Sequence, residues 1–164
     1  MDTSALLHYL KVSDFVVNKN CEGISHQESL VHPQSDGHSF NWVLGHMVRT
    51  RNEILELLGK GPLYLKSKFD VYSPKGFDPE KAVDVAELHD SFNALQTELK
   101  ESIQSMSEET LRQPASLTKD KDSGDTIGSI LGTVLWHEAY HAGQLGIIRR
   151  GVGKPGKIKN PAGE

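Results

Sequence analysis

The chain has 164 residues, 37% of them hydrophobic and 24% charged, with a formal net charge of −4 and a single cysteine. That length is enough for one domain, read here as residues 1–164, that buries roughly 70% of its unfolded surface and needs no covalent staple. Lone Cys21 excludes an intramolecular disulfide, and the acidic balance argues against nucleic acid as a partner. The N-terminus has no signal-like pattern and no apolar run reaches roughly 18 residues, so neither export nor membrane insertion is expected and the reading is cytoplasmic.

Four stretches carry helical periodicity, and none alternates like a half-buried strand, which predicts an all-α fold. The first helix, about Thr3 to Asn20, opens on Asp2 or Thr3 as cap and places Leu6, Leu7, Leu10 and Val17 on one face. The second, about Ser39 to Leu58, carries Phe40, Val43, Leu44, Met47, Ile54 and Leu55 and stops at Gly59-Lys-Gly-Pro62. The third, about Val83 to Met106, steps by threes and fours through Val85, Leu88, Phe92, Leu95, Leu99 and Ile103. The fourth, about Thr126 to Arg150, is capped by Asp125-Thr126, carries Ile127, Ile130, Leu131, Val134, Leu145 and Ile148, and ends at Gly151.

The connections, about 21–38, 59–82 and 107–125, are long for tight up-and-down turns, so at least one is expected to be a crossover. In the second, Tyr64, Leu65, Phe69, Tyr72 and Phe77 are apolar enough to cap a bundle end, and Glu108 to Leu111 is read as one short helical turn. From Arg149 onward the chain is basic, with Arg150, Lys154, Lys157 and Lys159, and is read as a solvated, flexible tail from about residue 151.

His137 and His141 interrupt the apolar stripe of the fourth helix four residues apart, where two imidazoles can point at a common centre. Each ring, buried without a partner, would cost roughly 1–3 kcal/mol, so two in adjacent turns call for a shared one. His46 is the best third ligand: it sits among apolar residues at mid-helix, and Gly45 beside it would allow a close helix approach. His26, His32 and His38 fall in a polar connection, and His8 and His89 lie beside their stripes rather than in them.

The string His137-Glu138-Ala-Tyr-His141 also matches H-E-x-x-H, in which Glu is the general base of a zinc protease. The extended motif fails at Gln144 and Ile147, and the only Glu after His141 is Glu164, so the protease reading is set aside. Glu138 is expected beside the ligands or exposed, and a base role for it stays open.

Through Asn41-Trp-Val-Leu-Gly-His46-Met-Val-Arg-Thr-Arg51 and Trp136-His-Glu-Ala-Tyr-His-Ala-Gly-Gln-Leu145 the sequence resembles the DinB-like superfamily of metal-binding four-helix bundles. The resemblance implies an up-down-down-up bundle with a long crossover between its second and third helices. It also implies His46, His137 and His141 as metal ligands, frequently a homodimer, and relatives that are transferases or isomerases using low-molecular-weight thiols such as bacillithiol or mycothiol.

The leading expectation is a metal-dependent enzyme acting on a small molecule, with a low-molecular-weight thiol as co-substrate. Zinc or nickel come first as the ion, with iron or manganese open, since imidazoles select weakly among divalent metals. Arg49 is a candidate to steer an anionic substrate, and Tyr140 and Gln144 to line the pocket. Two alternatives stay open: a small-molecule hydrolase with Glu138 as base, and a non-enzymatic protein in which the metal is structural, stored or sensed. Cys21 is read as an inert packing residue.

Overall fold

The computed structural model describes residues 2–32, 37–74, 76–115 and 124–158. Its first long helix, α1 (Thr3–Cys21), starts where the Asp2 carboxylate accepts the Ala5 amide at 2.8 Å, filling one of the orphan donors of a helix start. A short helix, α2 (His26–Ser29), follows in the first connection, where no helix was expected. Its signal is a reciprocal capping box: the Ser25 hydroxyl accepts from the Glu28 amide, and the Glu28 carboxylate accepts from the Ser25 amide.

The second long helix, α3 (Phe40–Leu57), is capped by Ser39, and the third, α4 (Val85–Gln104), by Asp84. Another short turn, α5 (Glu108–Leu111), precedes the last long helix, α6 (Ile127–Gly151), which opens on a capping box between Thr126 and Ser129. No β-strand occurs among the described residues; Pro114 and Thr126 form one isolated bridge.

Hydrogen bonds between helices give the directions. Asn41 donates to the Val83 carbonyl and Arg51 to that of Phe92, so α3 and α4 run parallel. Asn18 meets His89 and the Leu10 carbonyl meets Gln96, so α1 and α4 are antiparallel. Ser13 meets Glu138 and Asn20 the Ala142 carbonyl, so α1 and α6 run parallel; Arg51 meets Glu138 while His46 lies beside His141, so α3 and α6 are antiparallel. In chain order the long helices run up, down, down, up. Packed pairs close the ring α1, α4, α3, α6, leaving α1 diagonal to α3.

Leu6, Leu10, Val17, Leu44, Met47, Leu55, Leu88, Phe92, Leu95, Leu131 and Leu145 fill the centre, each contributing on the order of 1.5–3 kcal/mol by burial.

The crossover between α3 and α4 does not cap a bundle end. It runs back along α3: Asn52 exchanges two hydrogen bonds with the backbone of Tyr64, and further on a 3-10 helix (Lys66–Tyr72) packs beside Gly45. Phe69 and Tyr72 are its buried side chains, whereas Leu65 stays 80% exposed. A lid over the end would need all five apolar side chains facing one way; strapping along a helix needs only those turned toward it.

The C-terminal stretch, as far as it is described, is tied down rather than free. Arg149 is buried, donating to the carbonyls of Asn20 and Glu22 at the end of α1 and to Pro155. Lys154 pairs with Glu28 and Lys157 with Glu22. The guanidinium satisfies carbonyls that the C-terminus of α1 leaves without partners, which a solvated tail residue could not do. Lys159 lies outside the described residues.

Candidate metal centre

His46 sits in the second turn of α3 and His137 and His141 in the middle of α6, on the antiparallel pair of faces that meet across the bundle. Each offers a ring nitrogen, and the three lie within 4.8 Å of one another. His46 and His141 are buried and His137 is half-buried, and no carboxylate or thiol among the described residues joins the group.

Neighbours of His46 and His141 fix which nitrogen carries the proton. His46 Nδ1 lies 3.2 Å from the Tyr72 carbonyl oxygen, which can only accept, so Nδ1–H donates and Nε2 presents a lone pair. His141 Nδ1 lies 2.7 Å from Gln144 Oε1, whose amide is oriented by its Nε2–H donating to the Tyr140 hydroxyl at 3.2 Å. His141 Nε2 therefore also presents a lone pair, and it faces His137 Nε2 at 2.9 Å. No neighbour fixes the proton of His137, so this pair is met either by a His137 Nε2–H donating to His141 or by a cation between the two nitrogens.

Burial pushes His46 down to about 4, against the carbonyl of Tyr72, which works the other way; neighbouring His141 and His137 lower it further. Burial also lowers His141, opposed by Gln144, and lowers His137, opposed by Glu138. All three imidazoles are thus neutral at neutral pH, the form that binds a metal. Converging lone pairs, neutral rings and partners on the far nitrogens are what a divalent ion requires of a histidine set, and the residues fit one.

Gly45 does serve close approach, but of a ring and not a helix. A Cβ at this position would run into the Tyr72 ring, which lies flat against the glycine. The Tyr72 hydroxyl donates to Asn41 Oδ1 and accepts from the Val83 amide. That anchors the residue whose carbonyl orients His46. Nothing in the composition of the crossover marks Tyr72 for this role. Trp42 stacks on His46 at 4.8 Å, and His38 on Trp42 at 3.6 Å, forming a ladder of rings four residues apart. That spacing was a signal for His38, which the sequence reading placed in a polar loop.

Glu138 faces away from the histidines. It is buried, with Arg51 Nε and Nη2 donating to its two oxygens at 2.7 Å each and the Ser13 hydroxyl donating to Oε1 at 2.5 Å. Arg51 in turn donates to the Phe92 carbonyl, with its guanidinium 3.5 Å above the Phe92 ring. This carboxylate is neither exposed nor turned toward the histidine cluster, because position 138 falls in phase with the core residues Leu131 and Leu145, about two turns from each. Arg49 pairs with Glu53 at 2.7 Å on the half-buried flank of α3. Tyr140 is 57% exposed, and only Gln144 of the proposed lining residues touches a ring of the histidine cluster through a hydrogen bond.

The sequence profile of the DinB superfamily matches residues 17–145, which holds the last turn of α1, all of α3 and α4, and both histidine motifs. The chain belongs to the DinB superfamily. A crystal structure titled as that of a conserved protein of a locus from Enterococcus faecalis superposes with a TM-score of 0.74 at 22% identity, covering 94% of this chain and 99% of that one. At that identity the likeness bears on the shared fold of this DinB superfamily chain alone. No curated protein matches the chain. Among the described residues no helix is long and apolar enough to cross a membrane.

Proposed function

We propose that this DinB superfamily protein is a divalent-metal enzyme in which His46, His137 and His141 hold the ion and a low-molecular-weight thiol is transferred to an electrophilic small molecule. The observation that carries the reading is the convergence of three neutral imidazoles, two of whose outward nitrogens are occupied by Tyr72 and Gln144. A divalent ion supplies Lewis acidity there, favouring the deprotonated form of a thiol placed beside it. Zinc and nickel suit an all-imidazole set, and iron or manganese are compatible with it.

The protein's own groups then have defined work. The Tyr72 carbonyl and the Gln144 amide hold two rings in the tautomer that leaves Nε2 free. Trp42, stacked on His46 and edge-on to His141, keeps water from one side of both rings. Thiol transfer is favoured over hydrolysis because the carboxylate that would serve as base is spent on Arg51 and Ser13. A thiol acting as nucleophile needs no such base.

The test is turnover of monochlorobimane by metal-loaded and metal-stripped chain, with glutathione, cysteine or bacillithiol and without any thiol. Consumption at least tenfold faster with both metal and thiol is expected. A metal-independent rate, or thiol-independent cleavage of ester substrates by the loaded protein, would overturn the thiol assignment. A loaded form that binds metal but turns over neither class would leave the non-enzymatic reading.

A further inference from the structure

A cleft of about 800 Å³ opens between the segment leading into α3 and the last turns of α6. Its walls include Val31, His38, Val43, Gln144, Ile147 and Gly151. That volume lies in the range of small-molecule sites, and no Asp, Glu, Lys or Arg lines it among the described residues. Two of its polar groups are also neighbours of the histidine cluster. Gln144 accepts from His141 Nδ1, and His38 stacks on Trp42, which stacks on His46.

Two of its apolar walls are left in water: Val31 is 50% exposed and Ile147 64%. A ligand filling the cleft covers them. Among the described lining residues a charged ligand finds no Asp, Glu, Lys or Arg to offset its lost hydration, whereas an uncharged one needs only the Gln144 amide or the His38 ring for its polar atom.

We propose that this cleft is a binding site for an uncharged, largely apolar small molecule, held next to the histidine cluster with Gln144 as the shared wall. It deepens the thiol-transfer reading by naming the class of the electrophilic substrate, and rests on that reading for the substrate role alone.

Gly151 allows a clean test. A Cβ there meets nothing within 4 Å and the residue is not in the left-handed region, so Gly151→Leu adds an isobutyl group at a residue lining the cleft without backbone strain. Gly143, on the exposed side of α6 and equally free of neighbours, serves as control through Gly143→Leu. The probes are 1-naphthol, uncharged at pH 7, and 1-naphthoate, followed by amide chemical shifts of the full chain, with metal content measured on the same samples.

The expected result is saturable binding of 1-naphthol that shifts the amides of Gly37, Gly151 and Val152. Binding should weaken at least tenfold in Gly151→Leu, be unchanged in Gly143→Leu, and be at least tenfold weaker for 1-naphthoate. Metal content should be the same in all three proteins. No saturable binding, shifts confined to the Trp136 and Tyr140 side of α6, equal binding in Gly151→Leu, or preference for the carboxylate would each overturn the proposal. Loss of metal with retained naphthol binding would instead count against the metal centre and leave the cleft standing.

Discussion

Two polar clusters cross the same helix pair one turn apart, and they are built on opposite principles. In the Arg51, Glu138 and Ser13 cluster every charged oxygen is met: both carboxylate oxygens accept from the guanidinium, a third donor comes from the hydroxyl, and the remaining guanidinium nitrogen reaches the Phe92 carbonyl. In the histidine cluster the outward nitrogens of two rings are met and the inward ones face each other. The first is closed and holds helices together. In the second the inward pair is met either by a proton carried on one of the two facing nitrogens or by a cation placed among the rings. Adjacent residues His137 and Glu138 belong to different clusters, so the string H-E-x-x-H does not describe a single site here.

The largest expected effect lies in the closed cluster. Glu138→Gln leaves a buried guanidinium short of a counter-charge and should cost about 3–5 kcal/mol in chemical denaturation. Metal content of the folded fraction should stay at the wild-type level. The double change Arg51→Met with Glu138→Leu should recover most of that loss, since an apolar pair of similar volume is often neutral. If Glu138→Gln lost the metal and kept its stability, the two clusters would not be separable.

Next comes Gly45→Ala, where the new methyl displaces the Tyr72 ring. We expect a loss of roughly 1–3 kcal/mol, the range for overpacking, and weaker metal binding because the His46 acceptor moves with the ring. Unchanged metal affinity in a destabilised Gly45→Ala would show that the Tyr72 carbonyl does not orient His46.

Gln144→Leu should be milder for stability, since the side chain is only half-buried, but should weaken metal binding by about tenfold. That is the low end of the 10–100-fold range for such supporting bonds, because water can replace a partly exposed amide. Competition with a chromophoric chelator reads it directly.

The smallest effect is expected at Cys21. Burial pushes its thiol up to about 12, so the native chain should react with an aromatic disulfide roughly a thousandfold more slowly than the unfolded one. Prompt labelling of native protein would mean that the end of α1 opens, and with it the Arg149 anchor.

Much of this was legible in the residues. The four long helices followed from apolar steps of three and four and, for the first and last, from caps at Asp2 and Thr126, because those signals are local. The grouping of His46, His137 and His141 was legible because histidines inside apolar stripes need a partner. Position 138 was misjudged by attending to the motif and not the phase: Leu131, Glu138 and Leu145 are seven apart, as are Leu44, Arg51 and Leu58, so an acid and a base each stood in phase with a core. Tyr72 was not legible, since which face of a long connection meets α3 depends on how the crossover lies in three dimensions. Gly45 hinted that something approached closely and could not say what.

The most direct measurement is metal content, by mass spectrometry, of purified wild type, His46→Ala, His141→Ala and Glu138→Gln. The account predicts about one divalent ion per chain in the wild type and in Glu138→Gln, and less than a tenth of that in either histidine variant. Equal stoichiometric metal in all four proteins would contradict it.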